Sequence, residues 1–268
     1  MPTARSGQPF RRALVTGAAG GLGSELCRLL AADRTALVLL DRDESGLQRL
    51  QAELAPKVGV EVCTVDVRHY EELDATLRRL ADQKERIDLI VGNAGIDHPA
   101  PVRAGDWRNL NDHLATNVEA NFVLCTVMVP RLIEQGGGHV VAIASLGGLG
   151  GFPYEGGYCA SKAALATFIE SVRAEFSPQG VTFTTVFPGF IDTPMLRGNA
   201  FDWKSALTPQ QAAAKIYRAI LQRKPTLHFP LSTYLLLCLA KLLPVPIRDY
   251  MARKQMRSGF ATRSSAAE

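Results

Sequence analysis

Tyr158 and Lys162 have the residue types and the spacing of a proton-transfer pair. The run that joins them, Tyr-Cys-Ala-Ser-Lys, is typical of a helix, and residues four apart in a helix lie on the same face. A tyrosine hydroxyl has a pKa of about 10, and an ammonium group held beside it lowers that pKa by favouring the phenolate. The pair therefore predicts a tyrosine that exchanges protons near neutral pH. The same spacing also occurs on ordinary solvated helix faces.

A glycine-rich segment near the N-terminus connects a short apolar strand to a helix. The strand is predicted at residues 13–16 and the helix at 24–32, with Gly17, Gly21 and Gly23 between them. Such glycines let the backbone approach a pyrophosphate, which the free N–H groups of the helix N-terminus stabilise. The spacing differs from G-x-G-x-x-G but would serve the same geometry. The alternative is an ordinary tight turn.

An acidic residue, Asp41, follows the second predicted strand at residues 36–40. An acid about 20 residues beyond the glycine loop can accept hydrogen bonds from the ribose hydroxyls of a dinucleotide. Its charge would repel a 2′-phosphate, so Asp41 favours NAD over NADP. Arg42 follows directly and could instead hold a phosphate. Alternatively, Asp41 is only an acid at the N-terminus of the next helix.

The order of these motifs resembles that of the short-chain dehydrogenase/reductase family, in its single-domain form, over about residues 10–225. The resemblance covers four motifs. They are the glycine loop, the pair Asp66 and Val67 that would contact the adenine, the run Asn93-Ala-Gly beside the cofactor, and the segment from Pro188 to Thr193 that would cover the nicotinamide. It implies an NAD(P) cofactor. The residues predicted to bind this cofactor are Thr16, Gly17, Gly21, Leu22, Gly23, Asp41, Arg42, Asp66, Val67, Asn93, Ala94, Gly95, Tyr158, Lys162, Pro188, Gly189, Ile191 and Thr193.

Four residues match the catalytic positions of the family: Asn117, Ser145, Tyr158 and Lys162. Ser145 follows the apolar strand predicted at 140–144, so its hydroxyl would lie at a carboxyl end, where open α/β sheets bind ligands. There it could orient a substrate carbonyl by a hydrogen bond. Tyr158 would give or take the proton on the carbonyl oxygen. Lys162 would lower the pKa of the tyrosine and bind the nicotinamide ribose.

Three other positions are interpreted through the resemblance alone. Asn117 lies within a helical stretch predicted at about residues 107–134, and in the family it helps to hold a water that links the lysine to solvent. Thr193 would hold the carboxamide of the cofactor. Gly92 stands where the family usually has a second asparagine, and we expect a local change in hydrogen bonding there rather than lost activity.

Apolar strands alternate with amphipathic helices along the 268 residues. This pattern predicts an α/β fold with a Rossmann-type, doubly wound parallel sheet and helices on both faces, in a single domain. Residues 1–9 are predicted to be a flexible tail and 10–230 the dinucleotide-binding catalytic domain. An apolar helix and a basic tail would follow at 231–268. The strands are predicted at 13–16, 36–40, 60–65, 87–91, 140–144 and 182–187, with a seventh near 227–229.

The five cysteines and five histidines are scattered along the chain. They predict neither a disulfide framework nor a metal site, and they favour a reducing compartment. The first twelve residues have no apolar core of the kind found in secretion signals. We therefore expect a cytoplasmic protein.

The C-terminal segment is apolar at first and then basic. Residues 241–268 contain six basic and two acidic side chains, a difference equal to the net charge of +4 of the whole chain. The preceding apolar run is too short to span a bilayer, which takes about 20 residues. It could line the substrate pocket, contact a partner subunit or lie weakly on a membrane surface. The basic residues belong to no recognised nucleic-acid-binding module.

Taken together, the motifs predict an NAD(P)-dependent oxidoreductase that interconverts a secondary alcohol and a ketone. The apolar C-terminal third indicates a hydrophobic small-molecule substrate. The resemblance also implies a homodimer or homotetramer. Two alternatives remain open: reduction of a 3-oxoacyl thioester, and a non-catalytic scaffold or sensor that binds a nucleotide.

Overall fold

A parallel sheet forms the centre of the protein. The computed structural model describes residues 9–99, 102, 105–197 and 206–253. In this part of the chain seven strands lie in the order β3-β2-β1-β4-β5-β6-β7, and every pair of neighbours is parallel. The strands are β1 Arg12–Thr16, β2 Ala36–Asp41, β3 Val60–Thr64, β4 Leu89–Gly92, β5 Gly138–Ile143, β6 Val181–Pro188 and β7 Thr226–Phe229.

Helices connect the strands and cover both faces of the sheet. The packing of α1 against α8 covers one face, and that of α3 against α5 covers the other. The helices are α1 Gly21–Ala32, α2 Glu44–Leu54, α3 Tyr70–Ala81, α4 Trp107–Leu114, α5 Ala120–Glu134, α6 Gly156–Phe176, α7 Pro194–Arg197, α8 Pro209–Leu221, α9 Leu231–Lys241 and α10 at 245–253.

Burial on both faces explains why the strands read as almost continuous apolar runs. In β1, Ala13 and Val15 pack into the core on one face while Leu14 packs into the core on the other. All five residues of β1 are buried, as expected for an inner strand of a parallel sheet. The prediction of a doubly wound α/β sheet is confirmed.

The strand bounds agree with the predicted ones to within two residues: β5 begins two residues before its predicted start, and an equal difference occurs at β4. This strand begins at Leu89, two residues after the predicted start. Asp88 explains the difference, because its carboxylate accepts hydrogen bonds from the backbone N–H groups of Arg11 and Arg12. The Asp88 carboxylate therefore caps the start of the neighbouring strand β1. A pattern of apolar residues along the chain cannot show such a contact.

The helical stretch predicted at 107–134 is interrupted. A π-helical turn, Ala115–Glu119, lies between α4 and α5. Such turns are rare and often occur at functional sites. This one contains Asn117, so the irregular backbone coincides with a predicted catalytic position.

Candidate active site

A cavity of about 1240 Å³ runs along the carboxyl ends of the strands. The sheet reverses its winding between β1 and β4, and open α/β sheets bind ligands at that point. The cavity extends from Asp41 and Asp66 at one end, past Tyr158 and Lys162, to α9 at the other. Of the predicted site residues, all except Thr16 and Asn117 line it.

The glycine loop has a conformation that requires glycine. Gly17 has φ +64°, a region that other residues rarely adopt. A Cβ at Gly23 would lie 2.1 Å from the carbonyl oxygen of Gly17, and one at Gly21 would lie 3.0 Å from Cγ2 of Thr193. The close approach leaves backbone, rather than side chains, facing the cavity at the N-terminus of α1. This cradle fits the pyrophosphate of a dinucleotide.

Two polar side chains hold this loop from behind. Nδ2 of Asn93 donates to the carbonyl oxygens of Thr16 and Gly17, each at 3.0 Å. The hydroxyl of Thr16 accepts hydrogen bonds from the backbone N–H groups of Asn93 and Ala94 at 3.0 and 3.1 Å. Thr16 therefore stabilises the glycine loop from behind and does not line the cavity.

The carboxylate of Asp41 lies at the far end of the loop. One oxygen accepts a hydrogen bond from the backbone N–H of Ala19 at 3.0 Å, and the other accepts from that of Asp43 at 3.1 Å. The carboxylate thus joins the glycine loop to the start of α2 and lines the same end of the cavity as Arg42. The Arg42 guanidinium lies 3.9 Å from Asp66.

Arg68, which the sequence analysis missed, pairs with Asp66. The guanidinium donates hydrogen bonds to both carboxylate oxygens. These bonds lower the pKa of Asp66 to about 2. Val67 follows as a buried part of the wall. Two arginines and two acids therefore lie at the end of the cavity predicted to hold the adenosine.

The predicted proton-transfer pair lies on α6, as its spacing required. The Lys162 ammonium donates a hydrogen bond to the carbonyl oxygen of Ile143 at 2.8 Å and lies 5.8 Å from the centre of the Tyr158 ring. The Ser145 hydroxyl, at the end of β5, accepts a hydrogen bond from the N–H of Gly147 at 3.0 Å. It also hydrogen bonds to Tyr158. All three groups face the same cavity.

Burial shifts the pKa values of this pair. Burial raises the pKa of Tyr158, the negative charge of Asp97 adds to the effect, and the Ser145 hydrogen bond only partly offsets it. Burial also lowers the pKa of Lys162 to about 8, against the opposing effect of Asp97. Lys162 is not among the groups that shift the pKa of Tyr158 here, so the predicted lowering of the tyrosine pKa by the lysine stays a prediction.

Asn117 acts from behind the cavity wall. Its Oδ1 accepts a hydrogen bond from the N–H of Ile96 at 2.8 Å, and its Nδ2 donates to the Ile96 carbonyl and to the Ser161 hydroxyl. A Cβ at Gly95 would lie 3.1 Å from the Asn117 amide and 3.3 Å from the Lys162 ammonium. Asn117 thus joins the loop after β4 to α6 in the turn that precedes Lys162.

The glycine at position 92 has a partner that the sequence analysis missed. A Cβ at Gly92 would lie 2.1 Å from Oδ1 of Asn121, so the Asn121 amide occupies the space that a side chain at position 92 would take. Nδ2 of Asn121 donates to the carbonyl oxygen of Asn117 at 3.0 Å. An amide from α5 therefore lies where a side chain at position 92 would be.

A buried carboxyl pair was also missed. Glu155, three residues before Tyr158, is buried and lines the cavity with Asp97. Burial and the neighbouring acid raise the pKa of Glu155 to about 9. Nearby, the buried His113 ring meets the Tyr158 ring edge-on, with 6.4 Å between their centres. Contacts between such distant positions leave no periodic signal in a sequence.

The segment after β6 forms the opposite wall. Pro188, Gly189, Ile191 and Thr193 line the cavity, as predicted for residues that cover a nicotinamide. The backbone N–H of Gly189 donates to the carbonyl of Phe229 at 2.7 Å. This bond ties the segment to the end of β7.

A stack of three rings attaches α9 to the sheet. The His228 ring lies 4.5 Å from that of Phe187 on β6 and 4.0 Å from that of Tyr234 on α9. Leu236 and Leu237 of the same helix line the cavity. The apolar end of the cavity is therefore formed by the helix that the sequence placed after the catalytic domain.

Comparison with known proteins agrees with this fold. Residues 11–203 match the family model of the short chain dehydrogenases. The chain belongs to the short-chain dehydrogenase/reductase family. An uncharacterised oxidoreductase of Myxococcus xanthus (strain DK1622) is 31% identical over 246 residues, which cover 91% of this chain and 97% of that protein.

Solved structures of two dehydrogenases share the fold. A short-chain dehydrogenase from Sphingobium yanoikuyae in complex with NADPH has a TM-score of 0.77 and 23% identity, over 94% of this chain and 95% of that one. A 3-ketoacyl-(acyl-carrier-protein) reductase from Brucella melitensis complexed with NADH has a TM-score of 0.74 and 20% identity, over 82% and 96%.

As a family member with a glycine cradle at the switch point of its sheet, the protein is an NAD(P)-dependent oxidoreductase. The described residues contain no cluster of three or more potential metal ligands. No helix among them is long and apolar enough to cross a membrane.

Proposed function

We propose that this short-chain dehydrogenase/reductase interconverts a secondary alcohol and a ketone on a hydrophobic small molecule. The observation that supports this most directly is one cavity that joins the glycine cradle, the hydroxyls of Ser145 and Tyr158 and an apolar wall from α9. The catalytic residues of this proposal are Ser145, Tyr158 and Lys162, with Asn117 as a positioning residue.

In the direction of reduction, a bound nicotinamide supplies the hydride that the carbonyl carbon accepts. Ser145 and Tyr158 donate hydrogen bonds to the carbonyl oxygen and so stabilise the negative charge that develops there. Tyr158 then gives its proton to that oxygen, which completes the alcohol. The raised pKa of Tyr158 keeps the phenol protonated at neutral pH, the form that this direction needs. Oxidation is the reverse.

The apolar wall of the cavity is evidence for an apolar substrate. Beyond the reacting hydroxyls it is formed by Leu149, Phe152, Phe190, Met195, Leu236 and Leu237. We propose that residues 10–230 form the catalytic domain and that 231–268 complete the substrate pocket. The protein would act in the cytoplasm as a homodimer or homotetramer, without a nucleic-acid partner and with weak contact between residues 231–268 and a membrane surface.

We propose NAD as the preferred cofactor. The supporting observation is that the Asp41 carboxylate lies at the cavity end next to the glycine loop, where its charge would repel a 2′-phosphate. Arg42 and Arg68 lie at the same end and would favour NADP, but each is within 4 Å of Asp66. That pairing reduces the positive charge left for a phosphate.

The proposal is tested by a screen of lipophilic alcohols and ketones with both nicotinamide cofactors, in which turnover is measured by the change in cofactor absorbance. For the best substrate, Tyr158→Phe should reduce turnover by a factor of about 10³ or more, since general acid–base catalysis typically contributes 10²–10⁴-fold. The dissociation constant of the cofactor should stay within about twofold, because the ring remains.

Tyr70→Phe is the matched control, since the Tyr70 hydroxyl bonds to Glu119 on the π-helical turn. This variant should keep normal turnover. Near-normal turnover in Tyr158→Phe would refute the assigned role. Cofactor binding without turnover of any compound would support a non-catalytic scaffold or sensor. Activity restricted to 3-oxoacyl thioesters would support the alternative of a 3-oxoacyl thioester reductase.

A further inference from the structure

The exposed apolar surface of this protein is concentrated at its C-terminal end. Ten of the seventeen exposed large apolar side chains in the described chain lie between Leu231 and Met251. We call this region, α9 and α10 with their connection, the C-terminal surface. None of the described residues of α9 is buried. Apolar patches of this kind on a folded protein mark contacts with another molecule or a membrane.

The outward side of α9 is a leucine stripe. Leu231, Leu235, Leu239 and Leu242 follow the i, i+4, i+8, i+11 spacing of one helix face and are 61%, 51%, 62% and 82% exposed. On the inward side, Tyr234 stacks on His228 and Leu237 packs against a small core cluster. The helix is therefore fixed to the protein by one side and presents leucines on the other.

Positive charge lies beside this stripe. Between residues 241 and 253 the described chain has three basic side chains, Lys241, Arg248 and Arg253, and one acidic side chain, Asp249. Anionic lipid headgroups attract basic side chains placed in this way. A second copy is a poorer occupant, because in a two-fold contact made by this surface both sides would carry the same net positive charge.

We propose that the C-terminal surface docks on an anionic membrane surface. The mouth of the cavity would then lie next to the lipid, since Leu236, Leu237 and Ala240 of α9 and Arg248, Met251 and Ala252 of α10 line it. A lipophilic molecule dissolved in the bilayer would reach Ser145 and Tyr158 without crossing water. This route rests on the proposed function, whereas the docking itself does not.

The test is sedimentation of the full-length protein with vesicles, which requires no substrate. Vesicles of phosphatidylcholine with about one third phosphatidylglycerol should bind the protein at least tenfold more tightly than phosphatidylcholine alone. Binding should weaken at high salt, because screening reduces the attraction of the basic side chains to the headgroups.

Leu239→Glu should weaken binding to the anionic vesicles at least tenfold. Leu221→Glu is the matched control, because Leu221 is also an exposed leucine but ends α8, outside the C-terminal surface. Its binding should stay within about twofold of the unmodified protein. Unchanged circular dichroism and melting temperature would show that both variants fold.

Two results would overturn the proposal. One is the absence of binding to anionic vesicles by the unmodified protein, or equal binding by Leu239→Glu. The other is a concentration-dependent oligomer in sedimentation velocity that Leu239→Glu dissociates, which would assign the surface to a second copy. Because neither measurement involves turnover, an inactive protein that docks would refute the proposed function and leave the docking standing.

Discussion

The two ends of the cavity are built in different ways. At the end proposed to hold the nucleotide, the Asn93 amide donates a hydrogen bond to the Gly17 carbonyl, and the Asp41 carboxylate accepts one from the Ala19 N–H. At the end proposed to hold the substrate, α9 is attached by a ring stack and by the packing of Leu237 on a small core cluster, and none of its described residues is buried. The difference indicates that the cofactor site is preorganised, whereas the substrate site depends on a helix with a large uncovered apolar side.

This contrast has a physical reason. A dinucleotide offers a fixed pyrophosphate and ribose, so a backbone cradle of fixed geometry can match it. An apolar substrate is held mainly by the area that it removes from water, which is not directional. Elements with few buried contacts also open at low free-energy cost. A loosely attached apolar wall is therefore compatible with hydrophobic binding, while a loose cradle would lose the phosphate contacts.

The largest effect is expected at the nucleotide end. In Gly23→Ala the new Cβ would lie 2.1 Å from the Gly17 carbonyl, which Asn93 holds in place. We expect NADH to bind about a hundredfold more weakly, or about 2.7 kcal/mol, by fluorescence titration. Gly59→Ala is the control, because its Cβ would make only an ordinary 4.0 Å contact. Equal affinities in the two variants would show that the cradle is not preorganised.

A smaller effect at the same end should follow from charge alone. Asp41→Asn keeps an oxygen that can accept the hydrogen bond from Ala19 but removes the carboxylate charge. We expect a preference for NADH over NADPH in the unmodified protein, and a decrease of that preference by about tenfold, or about 1.4 kcal/mol, in the variant.

Asp82→Asn serves as the control for Asp41→Asn, because Asp82 is an exposed acid at the end of α3 and does not line the cavity. Its cofactor preference should equal that of the unmodified protein. An unmodified protein that prefers NADPH by tenfold or more would show that Arg42 or Arg68 decides the preference.

At the substrate end, we expect loss of the ring stack to loosen the attachment of α9. Tyr234→Ala removes the outer ring, and aromatic pairs contribute about 0.5–1.5 kcal/mol beyond their buried area. Cleavage by trypsin after Lys241 should therefore become about 2–10 times faster, while the dissociation constant of NADH stays unchanged. Tyr250→Ala, at an exposed tyrosine of α10, should alter neither. A weaker affinity for NADH in Tyr234→Ala would mean that the two ends are coupled.

An effect on stability rather than on binding is expected at Glu155, between the two ends. Its pKa is raised from 4.5 to about 9, so the folded protein holds a proton that the unfolded chain releases. This contribution to stability is present below pH 4.5 and is lost as pH rises through 9. The urea midpoint of the unmodified protein should therefore fall between pH 5 and pH 9, and that of Glu155→Gln should fall less. Glu170→Gln, an exposed change on the same helix, should follow the unmodified protein; an identical fall in all three would contradict the raised pKa.

The sequence by itself determined the sheet, the glycine loop and the pairing of Tyr158 with Lys162. These features depend on short-range patterns: continuous apolar runs for buried strands, a four-residue step for one face of a helix, and glycines where the backbone must turn. The motifs also placed Asp41, Ser145 and Asn93 at carboxyl ends of strands. The roles assigned to the site residues remain predictions, and the proposed tail, except for its last residue, and residues 254–268 lie outside the described chain.

Only the tertiary structure decided which distant groups meet. Asn121 fills the space beside Gly92, 29 positions away in the sequence, and Glu155 meets Asp97 across the cavity. The pKa of Tyr158 is raised although its lysine stands at the expected spacing, because burial depends on the whole wall. Periodicity along a chain specifies which face of an element is apolar. It does not specify which polar atoms of other elements are brought against it, and those atoms set the charge and hydrogen bonding of the site.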